Sequence, residues 1–421
     1  MTESSPLSRR GFLRTASAAA AAVPFAAAAQ AVSSAASEPA SQNKVDLPQL
    51  KSATEQPEQV PGPLEPRAQR VGYAVVGLGR LSLSEILPAM GRSKYCRAVA
   101  LVSGDRDKAM KVAAQYDIKP TSIYDYTTYD QLAANPEVQV IYIVLPNSMH
   151  AEYTVRGAKA GKHILCEKPM ANSVKDCERM IAACNAANVK LMIAYRSQYE
   201  PNDLALQKMI REGKLGKLRQ MIANNSQDQG DPQQWRQKLA LAGGGALPDV
   251  GIYCLNAARF LSNEEPYEVL ASTTQPKNDP RFAEVEASCQ VIARFPSGFT
   301  AAFNTSYDAH TSRYLRIQGS DAWAEMNPAF AYHGIKLRVS RLVDGHETTF
   351  EPGIEEKDQF AAEMDHMSLC VQRDIRPRTP GEEGLQDQRI VEAIYAAART
   401  GRAVRIAAPA GPTRGPDPSM E

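Results

Sequence analysis

The fold of this chain is decided by the stretch Val71-Gly72-Tyr73-Ala74-Val75-Val76-Gly77-Leu78-Gly79, in which a short apolar run meets two closely spaced glycines. The run is typical of a buried strand, and a helix-like segment extends from the glycines to Met90. In such a unit the first glycine makes a tight turn, and the second lets the backbone approach a pyrophosphate at the helix N-terminus. Ser82 stands where a third glycine is expected, and it is small enough for close helix–strand packing. The stretch predicts a dinucleotide-binding βα unit, with a glycine turn that holds no ligand as the alternative.

Further along the chain, short apolar runs alternate with helical segments as far as Arg196. The runs are Ala98–Val102, Val138–Leu145, His163–Cys166 and Lys190–Ala194. Strands that are joined by helices form parallel sheets. Residues 70–196 are therefore predicted to be an α/β Rossmann domain with a doubly wound parallel sheet.

The pattern changes after about Lys214, where strand-like runs follow one another without helices between them. A helical stretch at Pro248–Leu261 precedes these runs, and helical patterns return at Gln359–Arg373 and Glu383–Arg399. The strand-like runs are Tyr267–Ser272, Val285–Ala293, Thr300–Thr305, Tyr314–Gln318 and Ile335–Val339. Residues 197–421 are predicted to form an α+β domain with a mostly antiparallel sheet.

Residues 1–31 have the features of an export signal. Ser8-Arg9-Arg10-Gly11-Phe12-Leu13-Arg14 precedes an alanine-rich stretch that ends in Ala29-Gln30-Ala31, as in twin-arginine signal peptides. A membrane helix of the mature protein is the alternative, but the stretch is too rich in alanine and too short to span a bilayer well. Because twin-arginine export carries folded proteins, we expect a periplasmic protein without membrane association after signal removal.

Residues 32–69 are rich in Ser, Pro, Gln and Ala. Such a segment cannot bury enough apolar surface to fold by itself. It is predicted to be either a flexible linker or an extended arm laid on another surface.

The composition of the 421-residue chain argues against several classes of partner and site. The net charge is +1, and no basic stretch is interleaved with aromatic residues, which speaks against nucleic acid and acidic membranes as partners. The seven cysteines show no CxxC pair and no His/Cys cluster at metal-ligand spacing. We expect buried thiols, with neither a disulfide framework nor a metal site. The cysteines are Cys96, Cys166, Cys177, Cys184, Cys254, Cys289 and Cys370.

The end of the second predicted strand indicates which nicotinamide dinucleotide the domain binds. NAD enzymes usually place a carboxylate there to bind the ribose 2′-hydroxyl. Here Ser103-Gly104 occupies that place, and Arg106, Lys108 and Lys111 follow closely. A hydroxyl and nearby cations favour the 2′-phosphate of NADP. Asp105 supports the alternative, since a shift of one residue would place its carboxylate at the ribose.

Two motifs supply groups for hydride-transfer chemistry. Glu167-Lys168-Pro169 ends a predicted strand, where open α/β sheets bind ligands, and a cis bond before Pro169 is one way to direct the lysine. Asp249 and Tyr253 lie at i and i+4 of a predicted helix and so share one face. An ammonium beside a phenol favours the phenolate, which can take a hydroxyl proton as hydride leaves the carbinol carbon. The alternatives are a surface turn for the first motif, a helix N-cap for Asp249 and a core ring for Tyr253.

Taken together, these motifs resemble the Gfo/Idh/MocA family, and within it the glucose–fructose oxidoreductase branch, along nearly the whole chain. The matching segments are Gly77–Gly79, the Leu145-Pro146-Asn147 turn with His150, Glu167-Lys168-Pro169, Tyr195-Arg196, Trp235-Arg236, Asp249 with Tyr253, and 380–384. Many relatives have His where this chain has Tyr253. Two departures, Ser197-Gln198 in place of Cys-His and a shorter Ser226–Asp231 loop, leave the sugar specificity open.

The resemblance implies a Rossmann domain and a second domain whose open sheet face makes oligomer contacts, in a dimer or tetramer. It implies that Tyr253 is the general acid/base, that Lys168 orients the substrate and tunes Tyr253, and that Asp249 binds substrate hydroxyls. It also implies that the 32–69 arm covers the adenine end of a neighbouring subunit's cofactor. With the glycine turn, the predicted nucleotide contacts are Gly77, Leu78, Gly79, Arg80, Ser103, Lys108, Tyr126, Leu145, Pro146, Asn147, His150, Glu167, Lys168, Arg196, Trp235 and Arg236.

Export shapes the expected reaction, because free NADP is not expected outside the cytoplasm. The simplest scheme is ping-pong: one sugar is oxidised to a lactone, and a second is reduced to a polyol by the same tightly bound NADP. The alternatives are an ordinary NAD(P)-dependent sugar or inositol dehydrogenase with exchangeable cofactor, and a non-catalytic protein that senses sugars or nucleotides.

Overall fold

The computed structural model of the protein describes residues 70–416. The predicted signal, residues 1–31, and the predicted arm, residues 32–69, lie outside the described residues. The first six strands form one parallel sheet in the order β3-β2-β1-β4-β5-β6. They are β1 (Val71–Val76), β2 (Cys96–Val102), β3 (Ile123–Tyr124), β4 (Val140–Ile143), β5 (His163–Glu167) and β6 (Leu191–Ala194). The order reverses between β1 and β4, the switch point at which such sheets open a ligand crevice.

Helices cover both faces of this sheet. They are α1 (Leu87–Arg92), which continues a π-helical turn at Ser82–Ile86, α2 (Arg106–Gln115), α3 (His150–Lys159) and α4 (Val174–Ala186). In β1, Tyr73 and Val75 pack into one core, whereas Ala74 and Val76 pack into the other. Burial on both faces explains why this strand is a continuous apolar run rather than an alternating one.

The second sheet has nine strands within residues 70–416, in the order β14-β13-β12-β11-β7-β10-β9-β8-β15. The β7–β10 pair is parallel, and the other pairs are antiparallel. The strands are β7 (Leu218–Ser226), β8 (Glu268–Thr274), β9 (Ser288–Arg294), β10 (Thr300–Ser306), β11 (Ser312–Gly319), β12 (Ala322–Met326), β13 (Leu337–Val343), β14 (His346–Phe350) and β15 (Val404–Arg405). The predicted fold class, a Rossmann domain followed by an α+β domain, is confirmed.

One face of the second sheet packs on helices, and the other faces outward. The helices of this part are α5 (Pro201–Arg211), α6 (Leu239–Ala242), α7 (Ile252–Ser262), α8 (Gln359–Arg373) and α9 (Gly381–Thr400). In β7, Met221 and Ala223 lie in the core, whereas Ile222 between them is 47% exposed. Leu270 and Ile292 are similarly exposed on neighbouring strands. The sheet is therefore open-faced in the described chain.

The last two long helices return to the first sheet. Phe360, Met364 and Met367 of α8 pack into the same core as β1, and the Tyr73 hydroxyl donates to the Met364 carbonyl oxygen at 3.0 Å. Helix α9 contacts both α4 and β8. The parallel sheet therefore ends at Ala194, but the Rossmann core is completed by residues more than 150 positions later.

The sequence patterns missed β3 in the first sheet and β7, β12, β14, β15, α5 and α6 in the second domain. β7 contains Arg219, Gln220, Asn224 and Asn225, and all five side chains of β14 are exposed. Because one face of this sheet is open, such strands carry too few apolar residues for a pattern to reveal them.

All seven cysteine side chains are buried, which confirms the prediction of buried thiols. Among residues 70–416, no group of three or more His, Cys, Asp or Glu side chains is placed to hold a metal ion. In the same range, no helix combines the length and the apolar character needed to cross a membrane.

Candidate active site

A cavity of about 830 Å³ opens at the carboxyl ends of β1, β4 and β5 and extends to the second sheet. Its size suits a cofactor or small-molecule site. Its wall contains every predicted catalytic residue and every predicted nucleotide contact except His150. Those wall residues are Gly77, Leu78, Gly79, Arg80, Ser103, Lys108, Tyr126, Leu145, Pro146, Asn147, Glu167, Lys168, Arg196, Trp235, Arg236, Asp249 and Tyr253.

The glycine turn has the shape that a pyrophosphate requires. Gly77 adopts a φ of +93°, and a Cβ there would lie 2.3 Å from the Val144 carbonyl oxygen, so only glycine fits. At Gly79 an added Cβ would meet nothing within 4 Å, which leaves open space above the backbone. The Ser82 hydroxyl donates to the Gly77 carbonyl oxygen at 2.5 Å and so ties the following helix to the turn. These residues fit a dinucleotide phosphate at this turn.

Asp105, whose carboxylate supported the NAD alternative in the sequence, caps the helix that follows β2. Its carboxylate accepts from the Lys108 backbone N–H at 2.9 Å and caps α2. The Ser103 hydroxyl accepts from the Asp105 N–H at 3.1 Å, and the Lys108 ammonium donates to the Leu78 carbonyl oxygen at 3.3 Å. Asp105 lines this end of the cavity together with Ser103 and Lys108, and its carboxylate already accepts the hydrogen bond that caps the helix.

His150 lies behind the wall rather than in it. Its ring is fully buried, with Nδ1 2.9 Å from the Pro169 carbonyl oxygen and Nε2 2.9 Å from the Leu145 carbonyl oxygen. It thus joins two wall loops. Asn147, which does line the cavity, donates from Nδ2 to the Ala242 carbonyl oxygen at 2.8 Å. Both residues hold the backbone around the cavity.

Lys168 and Asp249 meet across the two domains. The peptide bond between Lys168 and Pro169 is cis. The lysine ammonium donates to the Asp249 carbonyl oxygen at 2.7 Å and to its Oδ1 at 3.1 Å. Burial works against the charged lysine, but the neighbouring Tyr253, Asp249 and Glu167 outweigh it and raise the Lys168 pKa above its ordinary value. Lys168 is therefore a protonated ammonium at neutral pH.

Asp249 is held by three donors. Besides Lys168, the Arg236 Nε lies 2.9 Å and the Tyr307 hydroxyl 2.6 Å from Oδ2. Burial alone would raise the pKa of Asp249, but Arg236, Lys168 and the Tyr307 hydroxyl bring it well below its usual range. Asp249 sits in a π-helical turn at Leu247–Gly251, directly before α7. With most of its acceptor sites used, this carboxylate chiefly anchors cations.

Tyr253 lies between two cations. The Lys168 ammonium is 4.8 Å from its ring centroid, and the Arg196 guanidinium carbon is 4.7 Å from it. Arg196 is itself fixed by donation to the Phe330 carbonyl oxygen at 2.8 Å and by stacking 4.5 Å from the Tyr332 ring. The phenol that the sequence predicted as acid/base therefore lies between an ammonium and a guanidinium group.

A buried carboxyl pair lies beside this centre. The Tyr142 hydroxyl is 2.9 Å from Glu167 Oε1 and 3.1 Å from Glu363 Oε1. One hydroxyl proton cannot serve both contacts, so one carboxyl holds a proton. Burial and then the charge of Glu167 raise the pKa of Glu363 well above its ordinary value, and burial also raises the pKa of Glu167.

The structure adds wall residues that the sequence did not single out. Most of them come from strand ends and loops of the second domain and Phe360 comes from α8, and none of them belongs to a recognisable motif. They include Asn225, Gln227, Gln229, Gln234, Arg313, Phe330, Tyr332 and Phe360. Tyr307, which bonds Asp249, is fully buried behind them.

Comparison with known families agrees with this arrangement. Residues 71–195 match the Gfo/Idh/MocA oxidoreductase family with its NAD-binding Rossmann fold, and residues 204–325 match the Gfo/Idh/MocA C-terminal domain. The chain belongs to the Gfo/Idh/MocA family. It is an oxidoreductase, and the predicted resemblance is confirmed.

Several members of the Gfo/Idh/MocA family resemble the chain over most of their length. Aldose-aldose oxidoreductase from Caulobacter crescentus, solved with glycerol, shares 43% identity and a TM-score of 0.77, over 80% of this chain and 100% of that one. D-xylose 1-dehydrogenase [NADP(+)] of Haloarcula marismortui is 32% identical over 80% of this chain and 93% of its own. D-xylose 1-dehydrogenase (NADP(+)) 2 of Haloferax volcanii is 30% identical over 79% of this chain and 99% of its own.

Proposed function

We propose that this chain is a periplasmic, NADP-dependent sugar oxidoreductase that oxidises an aldose to its lactone and reduces a second sugar to a polyol without releasing its cofactor. The observation that carries the proposal is the convergence of Lys168, Asp249 and Tyr253 beside the glycine turn. Relatives that are named as NADP-dependent D-xylose dehydrogenases and as an aldose-aldose oxidoreductase support the cofactor and the substrate class.

The residues of the site suit removal and return of a proton at a carbinol oxygen. NADP, when bound, accepts a hydride and gives it back. Tyr253 takes the proton of the aldose C1 hydroxyl as that hydride leaves C1, which gives the lactone. For the second sugar the direction reverses, and the phenol returns the proton to the carbonyl oxygen that becomes a hydroxyl. Lys168 stabilises the phenolate that starts the first half-reaction and is restored by the second, and it holds the sugar oxygen.

Retention of NADP through both half-reactions is supported by the predicted twin-arginine signal, because an exported enzyme meets no free NADP. The 2′-phosphate is favoured by Ser103 and Lys108, since Asp105 is engaged as a helix cap. The predicted arm and oligomer belong to the same proposal: an arm from a neighbouring subunit would cover the adenine end.

The test begins with protein purified without added nucleotide. It is dialysed, denatured and analysed for released NADP, and a second sample is assayed with pairs of D-xylose, D-glucose and D-fructose. We expect bound NADP and turnover of two sugars without added cofactor. Turnover only with added NADP would instead show an ordinary dehydrogenase with exchangeable cofactor.

A variant pair tests the role of the phenol. Tyr253→Phe should lower kcat by about 10²- to 10⁴-fold, the usual contribution of a positioned acid/base, and leave the bound nucleotide in place. Tyr267→Phe, a tyrosine outside the cavity, is the matched control. Unchanged turnover of Tyr253→Phe would refute this assignment, and no turnover by the wild type would favour a sensing protein.

A further inference from the structure

We propose that Gln229 reads a hydroxyl of the sugar and that Arg281, outside the cavity, is the positioning residue that holds Gln229 there. The inference rests on the proposed function and names the contact by which the same site selects its sugar. It concerns the segment Gln227–Gln229, which directly follows β7, and the loop after β10.

The segment is an extension of the second sheet. Beyond the last pairing of β7 with β10, the Gln227 N–H donates to the Ser306 carbonyl oxygen at 2.9 Å, and the Gln229 N–H donates to the Tyr307 carbonyl oxygen at 2.9 Å. Gln227 and Gln229 both line the cavity. Since the Tyr307 hydroxyl bonds Asp249, this segment borders the catalytic end of the cavity rather than the ribose end.

Gln229 has a free acceptor where a ligand would lie. The residue is 5% exposed, and its Oε1 has no hydrogen-bond partner among residues 70–416. Buried polar atoms in native proteins nearly always have a partner. An amide oxygen needs a donor, and a sugar hydroxyl supplies one with suitable geometry.

Arg281 joins three loops around this wall. Its guanidinium lies 2.7 Å from an oxygen of Asp228, 2.6 Å from Asp279 and 2.7 Å from Asp308, and Nη1 also donates to the Gln229 carbonyl oxygen at 3.3 Å. Asp228 and Asp308 flank the two residues whose backbones pair, Gln229 and Tyr307. We call these four charged residues the Arg281 clasp.

One cation in the clasp faces three carboxylates. Without the guanidinium, three like charges would face one another across the same gap, and their repulsion would separate the two loops. The Arg281 side chain is 20% exposed, so water screens this repulsion only in part. Separation would carry Gln229 out of position while the glycine turn, on the other sheet, stays unchanged. The expected consequence is weaker sugar binding with normal nucleotide retention.

The experiment measures sugar binding and turnover separately on nucleotide-loaded protein. Titration calorimetry gives Kd for D-xylose, D-glucose and a set of monodeoxy-D-glucoses, and steady-state assays give kcat and KM. The variants are Gln229→Leu, Arg281→Met and Arg281→Lys. Arg97→Met, which removes a partly exposed ion pair with Glu137 in the Rossmann domain, is the matched control.

For Gln229→Leu we expect Kd and KM for D-glucose to rise about 3- to 10-fold, the worth of one neutral hydrogen bond, and no change for the one deoxyglucose that lacks the paired hydroxyl. Arg281→Met should raise KM more than it lowers kcat and leave the NADP content intact, and Arg281→Lys should recover part of the loss. Arg97→Met should match the wild type.

Two results would overturn the inference. One is wild-type Kd and KM in Gln229→Leu and in a folded Arg281→Met. The other is an equal loss for every deoxy sugar, which would indicate general loosening instead of a specific contact. Sugar binding without turnover would defeat the proposed reaction, yet the dependence of Kd on Gln229 would still support the inference.

Discussion

The replacement Asp249→Asn tests how much the negative charge of Asp249 contributes to holding Lys168 in place. The side chains of Lys168 and Asp249 are only 10% and 14% exposed, and their charged atoms are 3.1 Å apart. At an effective dielectric constant of about 20, their Coulomb attraction is about 5 kcal/mol. An amide oxygen and returning water recover much of this energy. The expected net loss is about 1.5–3 kcal/mol, as for other hydrogen bonds to charged groups.

In kinetic terms, Asp249→Asn should lower kcat about 10- to 150-fold if the loss falls on the transition state. The pH profile should change as well. Asp249 is one of the groups that raise the Lys168 pKa, so its neutralisation lowers that pKa. Because the proposed reaction needs a protonated Lys168, the alkaline limb of the kcat profile should move to lower pH.

The assay records kcat from pH 5 to pH 10 for the wild type, Asp249→Asn and Asp374→Asn. Asp374 forms a 2.7 Å ion pair with Lys190 at the surface and serves as the matched control. Thermal melts establish that each variant is folded. A folded Asp249→Asn with a wild-type profile would refute the view that this carboxylate holds Lys168.

Three further outcomes follow from other parts of the chain. Ser103→Asp should raise the ratio of NAD to NADP affinity by about 10- to 100-fold, because a carboxylate there repels a 2′-phosphate and binds a ribose hydroxyl. Reconstitution of apo-protein with each nucleotide measures this ratio, and an unchanged ratio contradicts the cofactor assignment. Arg259→Met should lower the free energy of unfolding in urea by about 3–5 kcal/mol, because the fully buried Asp387 loses its cation and Glu383 keeps only Arg414; a loss under 1 kcal/mol argues against this. Burial lowers the pKa of His366 to about 4, so between pH 6.5 and 4 only the unfolded chain takes up its proton. Stability should therefore fall by up to about 3 kcal/mol as pH drops through that window, and His366→Gln should flatten the slope in urea titrations at each pH.

Much of the first domain could be predicted because its signals are local. Strand β1 and Gly77 are adjacent in the chain, and burial on both faces makes each parallel strand a continuous apolar run. Short local sequence patterns also identified Lys168 at a strand end and Tyr253 on a helix. His150 shows the limit: its motif was recognised, but only the structure shows that its ring bonds two backbone carbonyls behind the wall.

The second domain was harder to predict because half of its sheet surface faces outward. Strands such as β7 carry polar residues on the open face, and the loops after β7 and β10 contain no motif. Gln229 and Tyr307 belong to these loops, and Arg281 lies in the connection between β8 and β9. These residues matter because they lie near Asp249 and share hydrogen-bond partners in space. The spacing of residues along the chain does not reveal such contacts.

The sequence by itself determined the class of the domain, the glycine turn and the residue types that carry the chemistry, because backbone conformation and apolar periodicity act over a few neighbouring positions. The tertiary structure decided which charges meet. Lys168 and Asp249 are 81 positions apart, and Tyr307 lies a further 58 beyond Asp249. Electrostatic and hydrogen-bond energies depend on separations of a few ångströms in space, and only the packing of one domain against the other sets those separations.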